Sequence, residues 1–326
     1  MTLSDLAFRL QLSRYDDPMD EGEVTPGPRP RVAILLVNGF ARRGPLGRQR
    51  AAEALQYPWI DLCLRQVARH SKGWDYQVFA YDNSHFTPHR RLLRKFERVR
   101  LWPSGVVAMM GRIANRMPGP YLGRLLERRH PSALDYLAGK VSTDFDYIVT
   151  LDNDSFPVRD DWLDVLIGEC EKGAAVTGVY RDEMAPAVHP FIHVSGLCVG
   201  TQDLHDLGVS FGRDIQYLGE QHQQDAEFNQ DVGQKITYEL IRLGRTIAPL
   251  ARSNEVNFHF LMGGIYGDVI YHHGAGGRRA SFRDMGDVKI NDQISRVLRD
   301  AAFRDVDHLM AVLRGQAPDD LGLQTL

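Results

Sequence analysis

The chain has 326 residues, of which 43% are hydrophobic and 25% are charged, and its formal net charge is −3. This composition is that of an ordinary globular protein, and a chain of this length can bury a substantial apolar core. The near-neutral charge gives no global reason to expect nucleic-acid binding, and no apolar run approaches the ~18 residues that a membrane-spanning helix needs.

Residues 1–30 are predicted to form an appendage and a linker ahead of the folded domain. Scattered leucines come first, and the segment ends in Pro-Gly-Pro-Arg-Pro, which is typical of linkers. Asp5 and the lack of a basic start argue against a secretory signal. Cys63, Cys170 and Cys198 lack a metal-ligand spacing, which predicts buried, reduced thiols and a cytoplasmic protein.

The folded domain is predicted to begin with a βαβ unit. An unbroken apolar run over 32–37 predicts a buried parallel strand that ends at Asn38. A basic, glycine-containing loop follows, and the apolar spacing over 57–70 predicts a helix. A second strand over 76–81 stops at Asp82. Strand, helix and strand with a polar residue at each strand end are typical of nucleotide-binding units.

The most informative segment is an apolar run over 147–151 that ends in Asp152-Asn153-Asp154, with Pro157 just beyond. The run predicts a central strand, which places both carboxylates at the edge where open α/β sheets bind ligands. Carboxylate oxygens, together with substrate phosphate oxygens, are the ligands that Mg²⁺ or Mn²⁺ takes. The alternative is a β-turn in which the polar side chains only satisfy backbone N–H groups.

The rest of the chain alternates between predicted helices and strands. Asp231 is expected to open a helix that Gly244 closes. A strand over 267–271 is predicted to stop at His272 and His273. The other predicted elements are a helix at 132–137, a helix at 160–167 with acids in its first turn, a strand at 174–179, a mixed segment at 189–200, and a carboxyl-terminal amphipathic helix within 291–326.

Residues 89–130 are strongly basic, with only Glu97 and Glu127 as acids. The pattern fits solvated helix faces and phosphate-facing arginines, and the functional alternative is a face that meets anionic lipid or an anionic acceptor. The positive residues are Arg90, Arg91, Arg94, Lys95, Arg98, Arg100, Arg112, Arg116, Arg124, Arg128 and Arg129.

Several segments, taken in order, form a set that can be compared with a known family. They are the apolar first strand, Asp82-Asn83-Ser84, His130-Pro-Ser-Ala-Leu-Asp-Tyr-Leu, Asp152-Asn153-Asp154, Pro157 with Trp162-Leu163, Asp231-Val-Gly-Gln, and His272-His273-Gly. The set resembles the inverting family-2 glycosyltransferases of the GT-A fold, in a bacterial branch, over residues 31–280.

The resemblance implies an α/β fold with one GT-A domain at residues 31–290. Its Rossmann-like half, residues 31–160, has a mostly parallel central sheet and binds the nucleotide-sugar. An abutting half, residues 161–290, binds the acceptor. The appendage precedes this domain, and the carboxyl-terminal helix follows it.

The resemblance also assigns residues to the donor. An aspartate placed like Asp82 contacts the base or ribose of the sugar nucleotide, and Asn38 lies on the same edge. Asp152, with Asn153 beside it, lies near the ribose and sugar. Asp154 binds the metal on the diphosphate, for which Mn²⁺ or Mg²⁺ is implied.

A late histidine often completes the metal coordination in that family. The candidates are His272 and His273. Since adjacent residues of a strand face opposite sides, only one of the two can point at the metal.

The general base of that family usually belongs to an acidic pair ahead of a helix, and this chain lacks such a pair. Asp231 occupies the corresponding place, with Asp225 and Glu227 nearby, and its alternative role is a helix N-cap. By position, His189, His193 and Ser195 are expected to line the acceptor side or to be buried polar residues. The basic loop of Arg42, Arg43 and Arg48 either touches the diphosphate or is solvated.

The implied reaction is the transfer of a sugar from a nucleoside diphosphate sugar to a hydroxyl of a small-molecule, glycan or lipid-linked acceptor. No nucleic-acid partner is expected, and the basic 89–130 segment suggests peripheral membrane contact. One alternative is a nucleotidyltransferase of related fold, which the absence of lysine from the loop after the first strand disfavours. The other is a non-catalytic module that binds a sugar nucleotide.

Overall fold

The computed structural model describes residues 29–39, 47–83, 87–102, 130–183, 190–211, 231–257, 259, 262–274 and 288–324. The strands are β1 (Val32–Asn38), β2 (Tyr76–Asp82), β3 (Val99–Trp102), β4 (Tyr147–Asp152), β5 (Ser155–Pro157), β6 (Val176–Arg181), β7 (Phe191–Gly200), β8 (Ile247–Leu250), β9 (Gly264–Tyr266) and β10 (Ile270–His272). The helices are α1 (Gly47–Gln56), α2 (Trp59–His70), α3 (Thr87–Leu93), α4 (His130–Ala138), α5 (Trp162–Glu171), α6 (Thr201–Leu207), α7 (Gln234–Arg242), α8 (Val288–Arg304) and α9 (Val306–Leu313).

A seven-stranded sheet in the order β3-β2-β1-β4-β7-β6-β8 forms the centre of the fold. The pairs β3–β2, β2–β1, β1–β4 and β6–β8 are parallel, whereas β7 runs antiparallel to both β4 and β6. This arrangement confirms the predicted α/β class with a mostly parallel central sheet. The carboxyl ends of β1, β2 and β4 therefore lie along one edge.

Two layers of helices bury the two faces of this sheet. Alternate residues of β1 point to opposite sides, with Ile34 in one apolar cluster and Leu35 in the other. The Ile34 cluster includes residues of α2, α5, α8 and α9, and the Leu35 cluster includes residues of α4, α6 and α7. All of β1 is buried, which is why its sequence shows no polar alternation.

A second, three-stranded sheet has the order β5-β10-β9 and is antiparallel. The strand predicted over 267–271 corresponds to β10, which begins only at Ile270 and includes His272. Gly267 and Asp268 instead form the turn between β9 and β10. Both adopt positive φ, 55° and 60°, a conformation that glycine and aspartate tolerate better than most residues.

The carboxyl-terminal segment was predicted as one helix and forms two. α8 ends at Arg304, and Asp305 is extended with a φ of −159°. Its carboxylate accepts a hydrogen bond of 3.0 Å from the His308 backbone N–H, which makes it the N-cap of α9. The Asp305 N-cap therefore divides a segment with one continuous apolar periodicity into two helices.

Three other predicted boundaries also differ. Gly47 and Arg48, predicted as loop, begin α1. Within the mixed segment predicted at 189–200, residues 191–200 form the ten-residue strand β7, whose polar His193 and Ser195 are buried and bonded to each other. Asp231 precedes α7 rather than opening it, since that helix begins at Gln234.

The cysteines are free thiols, as predicted, although Cys170 is only half-buried. Burial raises the pKa of the Cys63 and Cys198 thiols, so both are unreactive as nucleophiles. Among the described residues, no helix combines the length and the apolar character needed to cross a membrane. Predictions for 1–28, for 103–129 and for Arg42, Arg43, His189, Asp225 and Glu227 lie outside the described residues.

Candidate active site at the carboxyl edge of the sheet

Asp152 and Asp154 lie where β4 leaves the sheet and turns into β5. The turn is closed by Ser155, whose hydroxyl accepts from the Asp152 N–H at 2.9 Å and donates to the Asp152 carbonyl at 3.1 Å. β10 pairs with β5 so that His272 is opposite Ser155. This pairing brings His272 Nε2 to 3.7 Å from Asp152 Oδ2 and 3.8 Å from Asp154 Oδ1.

His272, and not His273, faces the two carboxylates. His273 Nε2 lies 3.2 Å from Ser295 Oγ on α8, its Nδ1 lies 3.3 Å from the Tyr271 hydroxyl, and its ring packs on Trp59. Burial, with a contribution from Arg299, lowers the pKa of His273 to about 3. This side chain is therefore an uncharged part of the packing between α2, α8 and β10.

His193 on β7 connects this turn to Asp231. Its Nδ1 lies 3.9 Å from Asp152 Oδ2, and its Nε2 lies 3.6 Å from Asp231 Oδ2. The ring stacks on His272 with centroids 5.4 Å apart. Ligand atoms of Asp152, His193 and His272 lie within 4.8 Å of one another, so these residues form a group that could hold a metal ion.

Asp231 is held by the turn that leads into α7. Its Oδ1 accepts from the Val232 N–H at 2.8 Å, and its own N–H donates to Gln234 Oε1 at 2.8 Å. The structural N-cap of the helix is Gly233, which offers no side chain. The predicted site residue Asp231 thus has one oxygen in the turn and the other facing His193.

His130, the first residue of α4, also reaches this site. Its Nε2 lies 3.3 Å from Asp152 Oδ1, so the Asp152 carboxylate lies near three histidines. From the sequence, no site role was predicted for His130, and His193 was expected to line the acceptor side or to be a buried polar residue. No spacing in the sequence connects these histidines, because each arrives on a different element.

The electrostatics of the site favour a neutral His272. Burial lowers the pKa of His272 well below its ordinary value, and the neighbouring His193 and Arg181 lower it further. A neutral imidazole is the form that binds metals. Glu183 lies 3.0 Å from Arg181, which leaves that pair with little net charge next to the carboxylates.

Asn38 and Asp82 lie at the ends of neighbouring strands and face each other in register. Asn38 Nδ2 donates to Asp82 Oδ1 at 3.0 Å, and Arg90 donates to Asp82 Oδ2 at 3.3 Å. All three side chains are buried. A direct contact between Asp82 and a nucleoside would therefore require these partners to move. Asn153 is half-buried in the turn between β4 and β5.

No protein-family model matches the chain, and a search of curated proteins returned no match. Among solved structures, it is similar to the mannosyltransferase PcManGT from Pyrobaculum calidifontis in complex with GDP-Man and Mn²⁺, with 11% identity, 97% of this chain and 84% of that chain covered, and a TM-score of 0.42. It is also similar to the galactosyltransferase LgtC in complex with donor and acceptor sugar analogs, with 10% identity, 81% and 95% coverage, and a TM-score of 0.42.

A third similar structure is 4-diphosphocytidyl-2C-methyl-D-erythritol synthase from Anaerococcus prevotii, with 8% identity, 68% and 89% coverage, and a TM-score of 0.40. At these identities and TM-scores, the likeness concerns the general path of the chain and assigns neither a family nor an activity. The fold and the site by themselves define an α/β protein with a histidine–carboxylate cluster at the carboxyl edge of its sheet.

Proposed function

We propose that the chain is a metal-dependent glycosyltransferase of the GT-A type. It would move a sugar from a nucleoside diphosphate sugar to an acceptor hydroxyl, with inversion at the sugar carbon. The observation that carries this proposal is the meeting of Asp152, Asp154, His272 and Asp231 at one edge of a mostly parallel sheet. The ordered sequence motifs support the same family.

The donor atoms present fit a divalent cation. His272 Nε2 lies at nearly equal distances, 3.7 and 3.8 Å, from oxygens of Asp152 and Asp154. Ligand distances of roughly 2.0–2.3 Å put neighbouring ligand atoms about 3.0–3.5 Å apart, so a small side-chain movement would close this set. The imidazole nitrogen favours Mn²⁺ over Mg²⁺, which prefers oxygen ligands. When bound, the cation would neutralise charge developing on the diphosphate leaving group.

Asp231 is the residue that we assign as general base. The acceptor O–H bond breaks and its proton passes to Asp231 Oδ2. The acceptor oxygen bonds to the sugar carbon, while the bond from that carbon to the diphosphate oxygen breaks and its electron pair leaves with the diphosphate. We assign the step to Oδ2, because the Val232 N–H donates to Oδ1.

The proposed substrates divide between two parts of the chain. Residues 31–160 would hold the nucleotide-sugar, with Asp82 and Asn38 near the nucleoside, and residues 161–290 would hold the small-molecule, glycan or lipid-linked acceptor. Peripheral membrane contact through the basic 89–130 segment also remains a proposal. Within the described part of that segment Arg90 is buried, whereas Arg91, Arg94 and Lys95 are exposed.

A thermal-shift panel of nucleoside diphosphates, with and without Mn²⁺, tests the proposal first. A ligand that binds the native state raises the Tm by mass action, so at least one diphosphate should raise it only when the metal is present. If no diphosphate raises the Tm with Mn²⁺, the proposed function is wrong.

Product assays then separate the alternatives. A glycosyltransferase should slowly hydrolyse its sugar nucleotide, because water replaces the acceptor. A non-catalytic module would bind the same compound without hydrolysis. A nucleotidyltransferase would instead release pyrophosphate from a nucleoside triphosphate and a sugar phosphate.

A further inference from the structure

We propose that His193 is a positioning residue that holds the carboxylate of Asp231, and that it is not a ligand of the metal. This inference rests on the proposed function, which assigns Asp231 as the base. The opposite assignment is the obvious one, because His193, Asp152 and His272 form a group with ligand atoms within 4.8 Å of one another. The hydrogen bonds around the His193 ring decide between the two.

The proton of the neutral His193 ring is placed by its neighbour on β7. The Ser195 backbone N–H donates to His193 Nδ1 at 3.1 Å. A backbone N–H can only donate, so Nδ1 must be the acceptor, and the neutral ring carries its proton on Nε2. Coordination through Nδ1 would displace the Ser195 N–H, and coordination through Nε2 would move the proton onto the nitrogen that this N–H faces.

The protonated Nε2 points to Asp231. Its distance to Asp231 Oδ2 is 3.6 Å, slightly longer than a hydrogen bond, so a small side-chain rotation would close the contact, and the ring itself is buried. The Val232 N–H holds the other oxygen of the same carboxylate at 2.8 Å. Val232 therefore holds Oδ1, and His193 is placed to hold Oδ2, so that the two contacts together would set the plane of the carboxylate.

The fold keeps His193 and Asp231 together through contacts between Ile192, just before His193, and residues just after Asp231. Gly233 adopts a φ of 104°, and a Cβ at this position would lie 2.3 Å from the Ile192 carbonyl oxygen, so only glycine allows the turn to approach β7 so closely. The Thr237 hydroxyl accepts from the Ile192 N–H at 3.1 Å and donates to the Gly233 carbonyl at 2.9 Å. The turn and the strand thus form one unit.

The first experiment compares His193→Ala with His272→Ala, and uses His308→Ala as a matched control for the loss of a histidine on α9. Mn²⁺ affinity is measured from the free-ion signal in electron paramagnetic resonance, and kcat and donor KM are measured in the transfer or hydrolysis assay. His193→Ala should keep the Mn²⁺ Kd within about threefold and lower kcat about 10–100-fold at unchanged donor KM. His193→Gln, which keeps an N–H near Nε2, should recover part of kcat.

Two results would overturn the inference. A loss of Mn²⁺ affinity in His193→Ala that matches the loss in His272→Ala would make His193 a ligand. An unchanged kcat in His193→Ala would remove the positioning role. His272→Ala should weaken Mn²⁺ binding strongly, and His308→Ala should leave both quantities at the parent values.

A second measurement does not depend on turnover. Nitrogen-15 spectra of the histidine rings should show His193 with an unprotonated Nδ1 and a protonated Nε2. The Nε2 resonance should move in Asp231→Ala and stay in place in the control Asp307→Ala. A proton on Nδ1, or no response to Asp231→Ala, would refute the inference even if no sugar nucleotide is ever turned over, in which case the proposed function fails separately.

Discussion

Two sets of polar side chains lie at the carboxyl edge of the same sheet, and they differ in how their charges are compensated. The Asp82 carboxylate is fully buried and bonds to Asn38 at 3.0 Å and Arg90 at 3.3 Å. Asp152 and Asp154 are 15% and 17% exposed, and His272 Nε2 lies 3.7 and 3.8 Å from them, beyond hydrogen-bond distance. Arg90 pairs with the carboxylate of the first set, whereas we propose that a divalent cation pairs with the carboxylates of the second.

The comparison shows why an aspartate at a strand end is not by itself a binding residue. A buried carboxylate must be paired, and Arg90 neutralises Asp82 inside the fold. Around Asp152, the charge of Arg181 is matched by Glu183, and His272 is kept neutral by its burial. The two carboxylates of the second set have histidines as their neighbours, and a divalent cation would offset the carboxylate charge there.

The largest effect is expected for Asp154→Asn. The amide keeps the shape of the side chain but loses the charge, so Mn²⁺-assisted nucleoside diphosphate binding and turnover should be abolished while the Tm stays near that of the parent. Calorimetry of diphosphate binding with and without Mn²⁺ measures this effect, and Asp307→Asn on the surface is the control. If Asp154→Asn bound the diphosphate with Mn²⁺ as tightly as the parent does, the proposed difference between the Asp82 set and the Asp152–Asp154 set would be wrong.

Asp231→Asn is expected to act on the chemical step. Loss of the base should lower kcat by roughly 10²–10⁴-fold, the usual contribution of general-base catalysis, and leave donor binding near normal. Turnover is measured by product release, donor affinity by calorimetry, and Asp203→Asn serves as the control. A fall of less than about tenfold would reduce Asp231 to a turn residue and make Asp225 and Glu227 the next candidates.

Asp82→Ala should affect stability first. It removes the carboxylate from a buried guanidinium, a change that typically costs about 3–5 kcal/mol of unfolding free energy, and denaturant unfolding measures it. Replacing Arg90 by Leu in the same chain should restore part of the loss. If Asp82 also reads the nucleoside, donor KM rises while metal affinity for free pyrophosphate is kept. A raised donor KM together with parental stability would show that Asp82 is available to the donor and is not taken up by Asn38 and Arg90.

The smallest effect is expected at a separate histidine–carboxylate contact, between His70 and Asp160, in which Nδ1 and Oδ1 lie 2.6 Å apart. Burial lowers the pKa of His70 below 6.5, although the Asp160 hydrogen bond opposes the shift. The unfolded chain then binds more protons than the native chain between the two pKa values. The contribution to stability is therefore complete above pH 6.5 and is lost as the pH falls through the lower, native pKa.

Denaturant unfolding of the parent and of His70→Gln, at pH values above and below the ordinary pKa, measures this contribution. The variant should lose stability less steeply on acidification. Parallel curves for the two proteins would show that His70 contributes nothing to the pH dependence.

Sequence patterns determined the local elements and the edge at which the site lies. The unbroken apolar run of β1 and the apolar strand that ends in Asp152-Asn153-Asp154 were correctly interpreted, because burial on two faces removes the polar alternation of a strand. Asp231 was also singled out, because it lies ahead of a helix in the place that the family resemblance gives to the general base. Each of these features depends on residues that are close together in the sequence.

Only the tertiary structure decided which distant side chains meet. The antiparallel pairing of β10 with β5 turned His272, and not His273, toward the carboxylates. The close approach of Gly233 to the backbone of β7 placed Asp231 beside His193. His130 reached Asp152 from a helix that the sequence analysis gave no role in the site. Such contacts depend on strand register and on how closely two backbones approach, and no periodicity along one segment encodes either quantity.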